Sequence, residues 1–398
     1  MNPTVVGVSG DARLGDAARA AVDTAGLLVG SPANLALAAA PDDVERVELG
    51  PLAPALARLA DAPQAVVVAS GDPGLFGIVR ALRAAGHDPH VIPAVSSVAA
   101  AFARLALPWD DAVVVSAHGR DPGPAVNACR AFGTVAVLTG PGAGPVELAR
   151  QLVGWPRQMV VAERLGLPGE RVTRLPSREL ATRDPADFAA LTTVVCLDGR
   201  PAGAARRDNQ PAAPPADGWA LPETAYAHRD SMITKAEVRA WALARLRPRL
   251  GRLVLDLGAG SGSVGVECNR LGAAVVCVER DADACATITA NAERHGARVR
   301  VEHADAAEAV AQLPDADAAF VGGGGPGVVA AVADRAVPTV VAAFAALDHA
   351  VTARRLLTER GYHVEGVQLS AARLADLPGG STRLAATNPV LVLTGEQR

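Results

Sequence analysis

A glycine-rich turn and the carboxylates around it are the residues of this sequence best suited to bind a nucleotide. The apolar run 253–257 leads directly into the turn, and Glu279 ends the next apolar run about twenty residues later. The glycines of the turn are Gly258, Gly260 and Gly262. Glycine lets the backbone approach a ligand closely, and a carboxylate at the end of the second strand can accept hydrogen bonds from two ribose hydroxyls. The spacing therefore predicts a nucleotide site at the edge of a parallel sheet.

An acid near the end of the first strand indicates which nucleotide the turn binds. A dinucleotide site carries Gly-x-Gly-x-x-Gly, because its third glycine permits close packing of the helix. Here the pattern is Asp-x-Gly-x-Gly-x-Gly and begins at Asp256. A carboxylate at that place would repel a pyrophosphate, but it suits the cationic sulfonium and amino group of S-adenosylmethionine (SAM). We therefore expect SAM as the cofactor, with Asp305, after the third strand, accepting from the adenine amino group.

Two loops in the first half of the chain supply a second set of candidate cofactor contacts. The first loop follows an apolar run at 65–69 and precedes a helical stretch. The residues are Gly71, Asp72 and Pro73 in the first loop and Ser96 and Ser97 in the second. A Gly-Asp-Pro turn occurs in many loops, so this interpretation depends on finding several such segments in the right order.

Four basic side chains are candidate contacts for a substrate. His118 and Arg120 follow a predicted strand, at the edge where α/β sheets bind ligands. Arg229 and Lys235 precede the glycine turn and can hold carboxylates, Arg229 as a planar fork and Lys235 as a point charge. The competing interpretation is that the histidine is structural and that the other three are ordinary solvated side chains.

The bulk composition fits a folded enzyme better than a nucleic-acid-binding protein. The chain has 398 residues, of which 50% are hydrophobic and 20% charged, which is enough for large cores and excludes a disordered protein. The net charge of −4 gives no general attraction for nucleic acid, and aromatic residues, at 3%, offer little base stacking. Both features weigh against a nucleic-acid substrate.

Sequence signals for export, membrane insertion and metal binding are missing. The five cysteines contain no Cys-x-x-Cys pair and are expected to be buried reduced thiols, and no metal site is predicted. The first ten residues do not read as a signal peptide. The longest apolar stretch, 336–347, is too short to cross a bilayer. We therefore expect a cytoplasmic protein.

A change of composition divides the chain into two parts. Residues 201–218 are rich in Pro, Ala and Gly without apolar periodicity, which is typical of a linker between a domain at 1–200 and one at 219–398. Strand-like and helical stretches alternate in both parts, which predicts two α/β domains with parallel sheets covered on both faces. The helix that opens the second domain is predicted to have a capping box of Thr234 and Glu237.

The second domain resembles the decarboxylating methyltransferases of corrin biosynthesis, which act on precorrin-6Y or its cobalt-bearing relatives. The resemblance lies in RDSMITK at 229–235, LDLGAGSGSVGVE at 255–267, VERDADACATITANAERHG at 278–296 and FVGGG at 320–324. It implies a Rossmann-like class I SAM-dependent methyltransferase. The glycines at 322–325 stand where amino-methylating enzymes carry Asn/Asp-Pro-Pro-Tyr. This run of glycines, here called the glycine floor, lacks the clamp that Asn/Asp-Pro-Pro-Tyr provides for an amine. It therefore favours a flat substrate that is methylated at carbon. One departure is Glu267-Cys268-Asn269, where relatives tend to carry bulkier residues.

The first domain resembles the tetrapyrrole methylase family, an unrelated SAM-binding fold of two α/β subdomains. Ser-Gly-Asp-Pro at 70–73 and Pro-Ala-Val-Ser-Ser at 93–97 match cofactor loops of that family. Ser-Ala-His-Gly-Arg at 116–120 is similar to the subgroup that methylates carbon 5 of the corrin ring. The opening loop at 7–11 lacks the proline common in the family. The resemblance therefore implies a second SAM site in the same chain.

Together, the two resemblances imply a fused enzyme that methylates carbons 5 and 15 of a tetrapyrrole and decarboxylates one acetate arm. Relatives of both domains are oligomeric, which implies a homo-oligomer. One alternative is a SAM-dependent RNA or protein methyltransferase with an appended domain, which predicts a basic surface, aromatic residues or the missing clamp. A second alternative is a non-catalytic SAM-sensing protein, which predicts eroded cofactor loops. Titration with SAM would separate these alternatives, because the fused enzyme predicts two sites per chain.

Overall fold

The computed structural model describes residues 2–10, 14–50, 52–62, 64–190, 192–199, 218–229 and 232–397. Three large sheets and one separate hairpin make up its strands. Of the predicted linker 201–218, only Gly218 falls among the described residues, and Asp11, Asp230 and Ser231 fall outside them as well.

The first sheet is parallel throughout. Its strands are β1 (Thr4–Val8), β2 (Leu27–Gly30), β3 (Glu45–Glu48), β4 (Ala65–Ser70) and β5 (His90–Ile92). The helices between them are α1 (Asp16–Asp23), α2 (Pro32–Ala38), α3 (Leu52–Asp61) and α4 (Val79–Ala84). The order is β3-β2-β4-β1-β5, and buried apolar clusters cover both faces. Unbroken apolar strands such as β4 suit this position between two layers of helix.

The second sheet is mixed, so the expectation of parallel sheets fails here. Its strands are β6 (Val113–Ser116), β7 (Thr134–Leu138), β8 (Gln158–Glu163), β9 (Arg171–Pro176) and β10 (Thr192–Leu197), with helices α5 (Ser97–Leu105), α6 (Gly123–Ala131), α7 (Pro145–Arg150) and α8 (Ser177–Leu180). The order is β6-β7-β10-β8-β9, and only β6 and β7 are parallel. The short connection 164–170 between β8 and β9 cannot hold a crossover helix, so that pair must be antiparallel.

The third sheet has seven strands in the order β13-β12-β11-β14-β15-β19-β16. The strands after 218 are β11 (Leu253–Leu257), β12 (Ala274–Glu279), β13 (Val299–His303), β14 (Ala318–Val321), β15 (Thr339–Phe344), β16 (Tyr362–Leu369), β17 (Ala372–Asp376), β18 (Thr382–Ala386) and β19 (Val390–Gln397). The helices are α9 (Ala236–Leu246), α10 (Ser263–Arg270), α11 (Ala282–Arg294), α12 (Ala306–Ala309), α13 (Gly325–Asp334) and α14 (Leu347–Glu359). Strands β17 and β18 form the separate hairpin.

The strand order of the third sheet locates its ligand crevice. Successive strands leave β11 in one direction through β12 and β13, and in the other through β14 and β15. A doubly wound sheet binds ligands at the carboxyl ends of the strands where this direction changes, here between β11 and β14. The α/β class and the Rossmann-like half are confirmed. No helix in the described part of the chain is long and apolar enough to cross a membrane.

Candidate active sites

The glycine turn after β11 lies against the glycine turn after β14. Gly258, Gly260 and Gly262 have φ angles of +66°, +56° and +71°, in the region that favours glycine. A Cβ atom on Gly258 would lie 2.6 Å from the Cα of Gly323, so a side chain cannot fit between the two turns. The predicted turn and the predicted glycine floor therefore meet at the crevice and expose backbone there.

Glu279 connects this turn to the end of β12. Its Oε2 accepts a hydrogen bond from the Gly260 N–H at 2.9 Å, and its Oε1 accepts from the N–H groups of Arg280 and Asp281 at 2.8 and 3.1 Å. The side chain is half-buried at the mouth of the crevice. A carboxylate held by backbone donors in this position has its acceptor oxygens fixed, which is what recognition of ribose hydroxyls requires.

Asp256 lies deeper than Glu279. It is 1% exposed, and its Oδ2 accepts from the Gly265 N–H at 2.8 Å, in the first turn of α10. Burial raises the pKa of Asp256 to about 7, the Gly265 N–H opposes that rise, and the nearby charge of Glu279 adds to it. The Asp256 side chain therefore connects the end of β11 to helix α10, which follows the glycine turn.

Asp305 caps a short helix beside the end of β12. Its side chain is exposed, and Oδ1 accepts from the N–H groups of Ala307 and Glu308 at 2.9 and 3.4 Å. The preceding residue, Ala304, donates its N–H to the Glu279 carbonyl at 3.0 Å. The structure thus brings Asp305 near Glu279 and gives its carboxylate a capping role, while its predicted contact with adenine stays a prediction.

A buried ion pair, which sequence reasoning did not find, holds the segment before α9. Glu267 and Arg239 are 1% and 0% exposed, and the Glu267 Oε1 accepts from the Arg239 Nε at 2.8 Å. Glu267 also accepts from the N–H groups of Ala220 and Leu221 and from the Tyr226 hydroxyl, at 2.5, 2.9 and 3.0 Å. In the sequence, Glu267 stands out only as the first residue of the segment 267–269, which gives no indication of a charge partner. Its partners were not predictable.

The same segment is attached to the glycine turn by Asn291. This side chain is 1% exposed and donates to the carbonyls of Ser261 and Ala227, both at 2.8 Å. Its Oδ1 accepts from the Ala227 N–H at 2.7 Å. Arg229 follows two residues later, is exposed, and helps to lower the pKa of Asp281, which is mainly lowered by the Ala284 N–H. Arg229 therefore lies near the carboxyl edge where Glu279 ends β12.

The predicted capping box of α9 is wrong. The N-cap residue is Lys235, and it makes no side-chain capping bond. The Ala236 N–H donates instead to Glu223 at 3.2 Å, and Glu237 pairs with Arg373 at 2.8 Å. The helix begins one residue later than predicted, so Glu237 is its second residue and not its third, and its carboxylate pairs with Arg373. Lys235 is half-buried and is the only lysine in the chain.

Arg373 joins the hairpin to this segment. Its guanidinium contacts Glu223 and Glu237, each at 2.8 Å. The hydrogen bond from Arg373 lowers the pKa of Glu223 to about 2, and the same interaction lowers the pKa of Glu237. Arg373 therefore connects the hairpin of β17 and β18 to the segment before α9 and to α9 itself, beside Lys235.

In the first half of the chain, two loops meet strand β1 at the carboxyl edge of the first sheet. The Gly71 carbonyl accepts from the Ala94 N–H at 3.2 Å, and a Cβ on Gly7 would lie 2.1 Å from that carbonyl. Gly71 has a φ of +62°, and a Cβ there would lie 3.1 Å from the Ser96 Cα. The structure thus brings together the two predicted cofactor loops.

Residues of these loops also organise their own backbone. The Asp72 Oδ1 accepts from the Gly74 N–H at 2.8 Å, which forms a tight turn at the buried Pro73. The Ser96 Oγ accepts from the Ala99 N–H at 3.1 Å and caps α5, whose first residue is Ser97. The amino end of α5 therefore faces the junction of the loops.

Arg120 crosses from the second sheet to the loop of the first. Its guanidinium lies 5.6 Å from the centre of the Phe76 ring, a cation–π contact. Phe76 follows the Gly-Asp-Pro turn and has a φ of +52°, which is rare for a bulky residue. The sequence did not point to Phe76, because a strained backbone angle leaves no signal in residue type.

His118 has a defined hydrogen-bonded ring. Its Nδ1 lies 3.1 Å from the Thr139 carbonyl, which can only accept, so Nδ1 carries the proton and Nε2 is left as the acceptor of the neutral ring. The residue is exposed, in the loop after β6. Among the described residues, no group of three or more His, Cys, Asp or Glu side chains is arranged to hold a metal ion.

Known families match both halves of the chain. The family of tetrapyrrole (corrin/porphyrin) methylases matches residues 10–181, and the precorrin methyltransferase domain matches residues 224–394. A crystal structure described as precorrin-6Y C5,15-methyltransferase from Geobacter metallireducens aligns with 30% identity over 45% of this chain and 96% of that chain. Its TM-score of 0.42 is too low to add to the assignment.

Curated relatives span both halves. A precorrin-6Y C(5,15)-methyltransferase [decarboxylating] from Sinorhizobium sp is 34% identical over 81% of this chain and 78% of its own length. A protein of the same name from Mycobacterium tuberculosis H37Rv is 35% identical over 83% of each chain. This chain therefore belongs to the family of decarboxylating precorrin-6Y C(5,15)-methyltransferases, which are SAM-dependent enzymes.

Proposed function

We propose that the chain is a bifunctional SAM-dependent methyltransferase of corrin ring (cobalamin) biosynthesis. It methylates carbons 5 and 15 of precorrin-6Y and decarboxylates the carbon-12 acetate side chain to give precorrin-8. The observation that carries the proposal is the pair of separate glycine-lined loop junctions, one on the first sheet and one on the third. Relatives that match across both halves carry both activities in their names.

The two activities are assigned to two domains. Residues 1–200 form the tetrapyrrole methylase domain and methylate carbon 5. Residues 219–398 form the class I domain, which methylates carbon 15 and removes the carboxylate, and 201–218 link them. The limits of the family matches, 10–181 and 224–394, support these boundaries.

In the class I domain, the crevice between β11 and β14 fits SAM. Its backbone is exposed because no Cβ fits between Gly258 and Gly323, and Glu279 presents fixed acceptors. We assign the ribose of SAM to Glu279 and its adenine to Asp305. The amino acid end of SAM is assigned to the turn that contains Gly260 and Gly262. Asp256 contributes by holding the turn on α10.

In the methylase domain, the loop junction on the first sheet holds the second SAM. Gly71 permits the close approach of the two loops, and the tight turn at Asp72 and Pro73 sets the shape of the rim. Ser96 and Ser97 place the amino end of α5 at the junction, where N–H donors suit a carboxylate. The chain therefore has two SAM sites built from unrelated loops.

Basic residues beside each site place the substrate. Arg120 and His118 lie on the crevice side of the second sheet, where Arg120 also contacts Phe76 of the cofactor loop. Lys235 and Arg229 lie in the segment beside the glycine turn. The substrate carries many carboxylates, and an ammonium and a guanidinium hold these by point charge and by fork.

The chemistry needs alignment more than strong acid or base groups. When bound, SAM supplies an electrophilic methyl group whose transfer to carbon neutralises the sulfonium. The residues of the chain hold the macrocycle so that a nucleophilic carbon is in line with that methyl. Lys235 and Arg229 fix the acetate and its neighbours, while the ring accepts the electrons left by the departing carbon dioxide.

The proposal also covers the location of the protein in the cell and its oligomeric state. We expect a cytoplasmic homo-oligomer. The side chains of Leu374 and Leu384, directly opposite each other on the hairpin, are 78% and 67% exposed and provide an apolar surface for a second copy. Light scattering of the purified protein measures this directly.

The test of the two-site assignment is Glu279→Gln. The substitution removes the charge of the ribose acceptor, and losing charge-assisted hydrogen bonds should weaken SAM binding at this site by about 10- to 100-fold. Calorimetric titration with SAM should fall from two sites per chain to one. Mass spectrometry with precorrin-6Y should show one added methyl and no loss of carbon dioxide. Glu293→Gln, on the exposed side of α11, is the control. Loss of both methylations together would contradict the assignment.

A further inference from the structure

The loop after β4 is anchored in two cores of the first half of the chain. Leu75 packs against the apolar cluster between α5 and the second sheet, and Ile78 packs against a cluster on the first sheet. A Cβ atom on Gly77 would lie 2.4 Å from the Pro73 carbonyl oxygen, so the chain between these anchors is tightly folded. Phe76 lies between the two anchors, where the loop passes from one subdomain to the other.

The backbone of Phe76 suits glycine better than phenylalanine. Its φ of +52° brings a Cβ atom close to the neighbouring carbonyl, and only glycine adopts this region freely. The side chain is half-buried and packs in neither of the two clusters. Unfavourable backbone angles are frequent at functional sites, where the surrounding structure maintains them. What the ring contacts therefore indicates why a bulky residue stands at this position.

The ring of Phe76 contacts the guanidinium group of Arg120. The distance from the guanidinium carbon to the ring centre is 5.6 Å, and Arg120 is exposed. Among the residues that the structure describes, no side-chain hydrogen bond or ion pair is found for Arg120. An aromatic ring neutralises no charge, so this guanidinium keeps its fork of N–H donors for a planar anion.

The other arginines that contact a ring show the structural use of the same interaction. Within the described ranges, each of them also has an ion pair or a side-chain hydrogen bond. They are Arg130, Arg171, Arg239, Arg245 and Arg300. Arg171, for example, lies 5.7 Å from the centre of the Phe188 ring and pairs with Glu163 at 2.6 Å. Arg120 is held by a ring in the same way, but its charge is left for a ligand.

We propose that Phe76 is a positioning residue of the carbon-5 site, which holds the Arg120 guanidinium beside the cofactor loop, where Arg120 binds one carboxylate arm of the tetrapyrrole. Phe76 follows Pro73 of the Gly-Asp-Pro turn by three residues, so the bound carboxylate lies next to the loop assigned to SAM. A guanidinium that is already held loses less freedom when it forms a bidentate pair with a carboxylate. This inference rests on the proposed function, which places the methylation of carbon 5 in this half of the chain.

The test replaces the ring of Phe76 and measures substrate binding at this site alone. Phe76→Leu keeps an apolar side chain but removes the π face. It should raise KM for precorrin-6Y in carbon-5 methylation by about 5-fold, with kcat within about 2-fold of the wild type. SAM with an isotope-labelled methyl group lets NMR follow each methylated carbon separately. Phe76→Tyr keeps the π face and should restore the wild-type KM. Phe188→Leu, beside the paired Arg171, is the matched control and should leave KM unchanged.

A double-variant cycle distinguishes the positioning of Arg120 from a role in the shape of the loop. Once Arg120→Ala has removed the guanidinium, adding Phe76→Leu should raise KM no further. Calorimetric titration should find two SAM sites per chain in every variant. The inference is overturned by an unchanged KM in Phe76→Leu, by the same increase in both backgrounds, or by loss of a SAM site in Phe76→Leu. All of these results leave two methylations in the wild type, whereas a wild type that adds no methyl to carbon 5 would refute the proposed function instead.

Discussion

Asp256 and Glu279 are carboxylates near the ends of two neighbouring strands, β11 and β12, and lie in different surroundings. Glu279 is half-buried and accepts three backbone hydrogen bonds, whereas Asp256 is buried and accepts one. Burial favours the neutral acid, so the pKa of Asp256 rises from 3.8 to about 7. We therefore propose Glu279, whose acceptor oxygens are fixed by backbone donors, as the contact for the cofactor, and Asp256 as the residue that holds the turn on α10.

We expect Asp256→Asn to flatten the dependence of stability on pH. A carboxyl whose pKa is higher in the folded than in the unfolded state stabilises the fold fully below pH 4, and that stability is lost as the pH rises towards 7. Asparagine keeps an acceptor for the Gly265 N–H and cannot titrate. Denaturant unfolding at pH 4.5, 6 and 8 measures the slope. Asp305→Asn, on the surface, should keep the slope of the wild type. An unchanged slope for Asp256→Asn would show that the buried carboxyl is not responsible.

Lys235 is the only lysine among the 38 Lys and Arg residues of the chain. If the compact ammonium places the acetate, Lys235→Arg should raise KM for precorrin-6Y at the class I site by about 10-fold, since Arg and Lys are not interchangeable at a specific contact. Lys235→Met should lose decarboxylation, and both variants should keep two SAM sites.

An amine-selective reagent reacts with this side chain and the amino terminus alone, and substrate should protect it. Normal decarboxylation by Lys235→Met would exclude the role.

At the scale of elements, the segment before α9 is held by the buried pair of Glu267 and Arg239. We expect Glu267→Gln to cost about 3–5 kcal/mol, because it leaves a buried guanidinium without its counter-charge. Replacing both partners, as Glu267→Gln with Arg239→Met, should recover part of that loss. Denaturant unfolding gives the free energies, and SAM titration should show the methylase site unaffected. Equal losses in the single and double variants would mean that the pair itself is not what stabilises the segment.

The sequence predicted the strands that end at the candidate sites, because these strands are continuous apolar runs. The glycine turn and the Gly-Asp-Pro loop each follow such a strand, and Glu279 ends one. Their roles stay predictions. The cap of α9 was predicted wrongly because the carboxylate that accepts from the Ala236 N–H is Glu223, which lies outside the helix and pairs with Arg373, 150 residues further along the chain. Strands β3 and β9 are largely exposed and therefore carry no apolar run that would indicate a strand in the sequence.

At the scale of the whole molecule, the composition of 201–218 predicted two domains but not the contact between them. That contact depends on isolated residues, chiefly Arg130, Trp155 and Arg300, which have no periodicity and carry no motif. It also brings two like charges together: burial, with the charge of Arg300, lowers the pKa of Arg130 to about 10. The Trp155 ring offsets that cost, because both guanidinium groups lie within 4.8 Å of its centre and make cation–π contacts with it.

Trp155→Ala is therefore the change that separates the two halves energetically. Removing a buried tryptophan costs about 3–5 kcal/mol, and here it also leaves two guanidinium groups facing each other across a cavity. We expect scanning calorimetry to change from one transition to two, because each half then unfolds alone. Trp109→Ala, where the side chain is 43% exposed and stacks on Phe102, should keep a single transition. Both SAM sites should survive Trp155→Ala, since Trp155 belongs to neither of the glycine-lined loop junctions. A single transition in Trp155→Ala would show that this side chain does not couple the two halves.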